Sequence, residues 1–135
     1  MPRLVNIGPG EIVDRLTILA LKILYGSQQS REVRHFETER NALLVMLRGR
    51  ELNAGWFEHA LGLATVNGAL WQAEDAMRDH RQQERDVEKI GDGDPMLRDI
   101  SRVAFRIQEL NDERARLVEA INKLTGDHLG SEKLT

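Results

Sequence analysis

Residues 94–126 carry the longest amphipathic pattern in the chain, and this pattern limits what the chain can fold into. Apolar side chains recur at alternating steps of three and four, which is the spacing of one face of an α-helix. The face consists of Ile100, Val103, Ile107, Leu110, Leu117, Ile121 and Leu124, widened by Leu97, Ala104 and Val118. Asp94 as the N-cap, Pro95 at the first helical position and Gly126 after the last turn mark its ends.

Two polar residues, Asn111 and Arg114, fall near the middle of this apolar face. A buried amide without a hydrogen-bond partner costs about 2–7 kcal/mol, and a buried unpaired guanidinium is also strongly unfavourable. The sequence therefore predicts polar or charged partners opposite both side chains.

Composition favours a helical protein that does not bind nucleic acid. Aromatic residues make up only 4% of the 135 residues, and alternation of β-branched residues at period two is absent. The net charge of −3 arises from mixed signs, so no strong positive field attracts nucleic acid. Cysteine is absent, and the most apolar run, residues 12–24, contains three charged residues and is too short to cross a bilayer. We expect a cytoplasmic protein without membrane contact.

Three further helices precede the long one. The first predicted helix covers residues 9–25 after Gly8, and Gly26 ends it. The second begins at Ser30 as its N-cap and reaches about residue 48, and the third covers residues 54–89.

The pattern predicts an all-α fold that resembles a four-helix bundle. The turn at residues 91–95 makes the third and fourth helices a long antiparallel hairpin, with the first two packed on it. One domain spans residues 1–135, including an arm at 1–8 and a polar tail at 126–135. Because the first helix is apolar on most sides, one small bundle is not expected to cover it, and we expect a homo-oligomer, most simply a dimer.

Polar residues also interrupt the apolar face of the third helix, at Asn67, Glu74 and Arg78. Counting outward from the turn places Glu74 within about one helical turn, 5.4 Å, of Arg114. This register predicts an ion pair between Glu74 and Arg114, with Trp71 stacked on the guanidinium. Asp14 and Thr17 of the first helix are further candidate partners.

Two interpretations of this polar layer stay open. It is either a satisfied ion pair that fixes the register of the helices, or a pocket for an anionic small molecule, nucleotide-like or carboxylate. In the pocket, Arg114 and either Arg78 or Arg81 bind the anion, the two asparagine amides donate hydrogen bonds and Trp71 stacks on a ring. The candidate ligand-binding residues are Asn67, Trp71, Glu74, Arg78, Asn111 and Arg114.

Other motifs do not support catalysis, a metal or a cofactor. Glu32, His35 and Glu39 have the spacing of metal ligands on a helix, but matching sets from other helices are missing. The backbone amides of Gly8 to Gly10 could hold a phosphate, although a helix start explains this segment better. No phosphate-binding loop or catalytic triad is present.

Three segments resemble a family of small, uncharacterised helical proteins of bacteria and phages. They are residues 10–19 (GEIVDRLTIL), residues 67–78 with Asn67, Trp71, Glu74, Asp75 and Arg78, and residues 110–115 (LNDERA). The resemblance implies no activity, but its motif positions coincide with the polar breaks described above. The chain ends in SEKLT and lacks the terminal aromatic residue of the family's tail.

A second resemblance provides an enzymatic alternative. Residues 97–118 are similar to the first helix of helical chorismate mutases, in which two arginines and a lysine bind substrate carboxylates. Arg98, Arg114 and Lys123 would be the counterparts. This helix stands last in the chain rather than first, and the lysine spacing is short.

Overall fold

Four α-helices make up the part of the chain that the structure describes. The computed structural model describes residues 7–50, 53–86 and 94–124, and no strand occurs within these ranges. The helices are α1 (Pro9–Gln28), α2 (Arg34–Leu47), α3 (Ala54–Asp86) and α4 (Asp94–Leu124). The predicted all-α architecture is confirmed. The predicted tail, most of the predicted arm and most of the predicted turn between α3 and α4 lie outside the described residues.

The long helices α3 and α4 pack antiparallel along their length, and α1 packs against both. Leu63 near the start of α3 shares a buried cluster with Ile121 near the end of α4, whereas Leu70, farther along α3, shares one with Leu110. Helix α2 packs on α1, where Leu43 joins Ile12 and Leu19 in a second apolar cluster. In α4 the predicted face packs inward at Val103, Ile107, Leu110, Leu117 and Ile121, whereas Leu97, Ala104 and Leu124, also predicted on this face, are exposed.

Helix α1 does not end where the sequence predicted. It continues past Gly26 to Gln28, and Ser30 then adopts a left-handed φ of 57°. The Arg31 amide donates to the Gly26 carbonyl (2.8 Å), and the Ser30 amide donates to the Ser27 carbonyl (3.0 Å). These two bonds form a Schellman motif, which satisfies carbonyls at the helix end. Ser30 therefore closes α1 instead of capping α2, whose N-cap is Val33.

Helix α1 is better covered within one chain than its sequence suggested. Three helices contact it, and Ile12, Val13 and Leu19 are each less than 5% exposed. Leu24 remains 49% exposed. The close fit depends on Gly10, because a Cβ atom there would lie 2.1 Å from the Val118 carbonyl oxygen of α4.

The start of α3 was predicted correctly. The Asn53 side chain accepts a hydrogen bond from the Trp56 amide at 2.7 Å, as an N-cap does.

Of the helices in the described ranges, not one combines the length and the apolar character required to cross a membrane.

Candidate functional site

A buried carboxylate, Asp14 of α1, forms the centre of the polar layer. Arg114 of α4 donates from Nε to Oδ1 at 2.9 Å and from Nη2 to Oδ2 at 2.6 Å. This is a side-on, bidentate contact, the geometry in which arginine binds carboxylates most strongly. Asp14 is 7% exposed as a residue, and the Arg114 side chain is 34% exposed.

Asn67 of α3 completes the layer from the third helix. Its amide nitrogen donates to Asp14 Oδ1 at 2.9 Å and to the Thr17 hydroxyl oxygen at 2.7 Å. Thr17 in turn donates its hydroxyl proton to the Asp14 backbone carbonyl at 2.8 Å. Asn67 is 3% exposed, so these bonds satisfy both N–H donors of a buried amide. The layer therefore ties α1, α3 and α4 together.

The electrostatics of this layer favour a permanent ion pair. The hydrogen bonds that Arg114 donates to Asp14 raise the pKa of Arg114 above its ordinary value, with partial burial opposing them and the charges of Asp14 and Glu74 adding to the increase. A raised folded-state pKa means that the stabilisation is fully present below the unfolded pKa. The part of the stabilisation that depends on the Arg114 proton is lost as the pH rises through the folded-state pKa, far above the neutral range.

A second polar contact fixes the start of α1 against α4. The Gly10 amide donates to Asn122 Oδ1 at 2.8 Å, and Asn122 Nδ2 donates to Glu11 Oε1 at 3.2 Å. The side-chain amide of Asn122 thus occupies the helix N-terminus that the sequence offered as a phosphate site.

The predicted partner of Arg114 was wrong. Glu74 is exposed, and its charge is the smallest contribution to the raised pKa of Arg114. Asp14, one of the two further candidates on the first helix, takes the guanidinium instead. The register between α3 and α4 gave the correct height along the bundle, but it carried no information about which face of α1 points into the layer.

Trp71 stacks on a different group than predicted. Its ring lies against Tyr25 of α1, with 5.0 Å between the ring centroids and 22° between the planes. Both rings line an open groove of about 660 Å³ between α1, the loop before α2, and α3. The predicted ligand-binding residues therefore do not form one site. Trp71 and Arg78 line this groove, whereas Asn67 and Arg114 belong to the buried layer.

Three cations and two carboxylates line the groove: Lys22, Arg31 and Arg78 with Glu32 and Asp75. Glu32 accepts a hydrogen bond from the Arg34 backbone amide at 2.8 Å. Lys22 lies 5.4 Å from the centroid of the Phe36 ring, a cation–π distance, and Arg78 hydrogen-bonds Asp75. Within the described part of the chain, neither Lys22 nor Arg31 forms an ion pair with a carboxylate.

The surface beside Arg114 has a different character. Asn111 is exposed, so the prediction that it is buried on the apolar face opposite a polar partner was wrong. It lines a shallow depression of about 580 Å³ together with Arg114, Glu11, Glu119 and Lys123. Lys123 lies 3.5 Å from Glu119, and Arg114 is bound to Asp14. Because Arg114 is partly buried and bound through two N–H groups, and Lys123 lies beside Glu119, this depression offers an anion less attraction than the groove.

The residues implied by the mutase resemblance do not converge. Arg98 and Arg114 lie 16 positions apart on one helix, which is about 24 Å at 1.5 Å per residue. One small substrate cannot contact both from a single subunit. Among the described residues, no three His, Asp or Glu side chains come together as metal ligands do, including Glu32, His35 and Glu39.

Sequence reasoning missed Lys22, Tyr25, Arg31 and Asp75 as groove residues. Asp75 and Arg78 stand in one of the motif segments quoted above, and their spacing of three was the available signal. Arg31 carried no such signal, because its position depends on the Schellman turn.

Comparisons with known proteins add nothing here: no family model, curated protein or solved structure matches the chain.

Proposed function

We propose that this protein binds a small anionic molecule, without transforming it, in the groove between α1, α3 and the loop before α2. The observation that carries the proposal is the placement of Lys22 and Arg31, two cations without a carboxylate partner in the described chain, beside the Tyr25–Trp71 stack. The groove volume of about 660 Å³ falls within the roughly 300–1,000 Å³ typical of small-molecule sites.

The chemistry of the groove supports an anion that carries a planar group. Arginine recognises phosphate or carboxylate through a planar fork of N–H donors, and lysine adds a point charge. Aromatic side chains bind planar groups by offset stacking, worth about 0.5–1.5 kcal/mol per pair. A nucleotide-like or aromatic carboxylate ligand uses both features.

The buried layer at Asp14 is assigned a structural role within this proposal. A guanidinium that is already bound to a carboxylate through two N–H groups has lost most of its attraction for a second anion. The specific observation in favour is the bidentate contact at 2.6 and 2.9 Å. This is the register-setting ion pair of the alternative interpretation, with Asp14 in place of Glu74.

Calorimetric titration with nucleotides, aromatic carboxylates and inorganic phosphate tests the proposal. We expect saturable binding by at least one of these anions, weakened about tenfold or more in Arg31→Gln, because a charge-assisted hydrogen bond contributes about 1.5–3 kcal/mol. Lys22→Gln should weaken binding less, because its ammonium is a hydrated point charge.

Arg102→Gln is the matched control, since Arg102 is an exposed arginine on α4 that lines no part of the groove. It should leave the affinity unchanged. Absence of binding by every anion, or equal weakening in Arg31→Gln and Arg102→Gln, would reject the proposal.

Self-association and a cytoplasmic location complete the proposal. Phe57 and Leu61 stand one turn apart on α3 and are 58% and 55% exposed, which supports contact with a second copy. Light scattering should give a dimer for the natural chain and a smaller species for Phe57→Lys with Leu61→Lys. A monomer at micromolar concentration would contradict this part alone.

A further inference from the structure

Three groove residues follow one another along a single stripe of α3. Trp71, Asp75 and Arg78 occupy positions i, i+4 and i+7, which lie on one face of a helix, and all three line the groove. Seven residues rise about 10.5 Å. The aromatic ring of Trp71, the carboxylate of Asp75 and the guanidinium of Arg78 therefore follow one another along about 10.5 Å of the helix.

We infer that the ligand of this groove is a ribonucleoside monophosphate, bound with its base at Trp71, its ribose at Asp75 and its phosphate at Arg78. The inference rests on the proposed function and narrows its ligand class. A ribonucleoside monophosphate contains a planar ring, a pair of hydroxyl donors and a terminal anion in the same order as the three side chains that would receive them.

The base end is built by the ring pair. Tyr25 and Trp71 are already stacked at 5.0 Å, and a third ring extends such a stack without disturbing it. Stacking on an aromatic side chain is favourable for any base, because every base has a π-face. The groove therefore selects for a base but does not specify which one.

The middle position excludes the phosphate and favours hydroxyl groups. An ionised carboxylate only accepts hydrogen bonds, so Asp75 repels an anion and accepts from the ribose hydroxyls. Asp75 already accepts one bond from Arg78, and its two oxygens have sites for about four donors. The carboxylate thereby fixes the direction in which a nucleotide lies in the groove.

The phosphate end has cations from two elements. Arg78 is paired with Asp75 through one nitrogen, Nη2, and its side chain is 65% exposed, so it keeps N–H donors for a phosphate that the bidentate, partly buried Arg114 lacks. Arg31 belongs to the same groove from the loop before α2, where the Schellman turn holds its backbone. Two arginines can bind separate oxygens of one phosphate. The pair of arginines therefore suits a phosphate better than a single carboxylate.

Calorimetric titration of the whole chain with four classes of probe tests the order of these contacts. The probes are the ribonucleoside 5′-monophosphates, the free nucleosides, the 2′,3′-dideoxynucleoside 5′-monophosphates and ribose 5-phosphate. We expect the ribonucleoside monophosphates to bind most tightly. Loss of the phosphate, the hydroxyls or the base should each weaken binding about tenfold, since each removes a contact worth about 1.4 kcal/mol or more.

Asp75→Ala assigns the hydroxyl contact. It should abolish the preference for ribonucleotides over dideoxynucleotides and leave the affinity for dideoxynucleotides equal or higher. Asp99→Ala is the matched control, because Asp99 forms the same i, i+3 pair with Arg102 on α4, outside the groove. The control should keep the preference unchanged.

Equal binding of ribonucleotides and dideoxynucleotides, or of ribonucleotides and ribose 5-phosphate, would overturn the inference. If those probes still lose affinity in Arg31→Gln, the proposed anion site survives while its assignment to nucleotides fails. Absence of binding by every phosphate and every carboxylate would reject both.

Discussion

The guanidinium of Arg114 binds the carboxylate of Asp14 through both Nε and Nη2, and this contact joins two residues 100 positions apart in the chain. It links the first helix to the last, while Asn67 of α3 donates to the same carboxylate. Burying a charged group is favourable only when its partners are all present. In the structural role that we propose for it, the layer fixes how three helices rotate relative to one another, more than it adds to their net attraction.

Removal of Arg114 should destabilise the protein because it leaves the Asp14 carboxylate buried without its counter-ion. Breaking a buried pair costs about 3–5 kcal/mol, and since the Arg114 side chain is 34% exposed we expect about 3 kcal/mol for Arg114→Ala. Arg114→Met combined with Asp14→Leu should recover much of this loss, because no charge is then left unpaired. Urea unfolding of the single and double variants measures the coupling.

Arg116→Ala serves as the control for that cycle. Arg116 pairs with Glu113 on the surface of α4, where its side chain is 73% exposed. Such pairs contribute about 0–1 kcal/mol. A loss for Arg114→Ala no larger than for Arg116→Ala, or additive effects in the cycle, would contradict a structural role for the Asp14 layer.

Gly10→Ala and Gly68→Ala should change stability in opposite directions. A Cβ at Gly10 would lie 2.1 Å from the Val118 carbonyl oxygen, so α1 must move away from α4. This movement also weakens the hydrogen bond between the Gly10 amide and Asn122. A Cβ at Gly68 meets no atom within 4 Å, and alanine in a helix interior is favoured over glycine by about 1 kcal/mol. Thermal unfolding should show a lower Tm for Gly10→Ala and a higher Tm for Gly68→Ala. Equal shifts would show that α1 and α4 do not approach this closely.

The sequence predicted the helices and the height of the polar layer, but not its partners. Periodicity identified Asn67 and Arg114 as polar residues on apolar faces, and both lie in the layer. It did not identify Asp14 as the principal partner, because α1 is apolar on most sides and its pattern leaves the rotation of the helix undefined. The Trp71 contact was missed for the same reason, since the pattern of α1 does not show which of its faces carries Tyr25 toward α3.

Ser30→Gly should stabilise the protein. Ser30 has a φ of 57°, a conformation that costs L-residues roughly 1–2 kcal/mol and glycine almost nothing. Because glycine also gains entropy when unfolded, we expect a net increase of about 0.5–1 kcal/mol in the free energy of unfolding. Ser27→Gly, inside the last turn of α1, should lower the same quantity. A decrease for both variants in chemical denaturation would contradict the left-handed turn that positions Arg31.

The two tryptophans provide the most direct test of the groove, because one lines it and the other does not. Trp71 stacks on Tyr25 in the groove, whereas Trp56 is 8% exposed and packs in the core with Val13, Leu63 and Ile121. Nitrogen-15 NMR resolves the indole N–H of each during a titration with ribonucleoside monophosphates, aromatic carboxylates and phosphate. The account predicts a saturable shift of the Trp71 signal with at least one of these anions and an unchanged Trp56 signal. A Trp71 signal that stays constant with every anion, or backbone shifts centred on Arg114 instead, would contradict it.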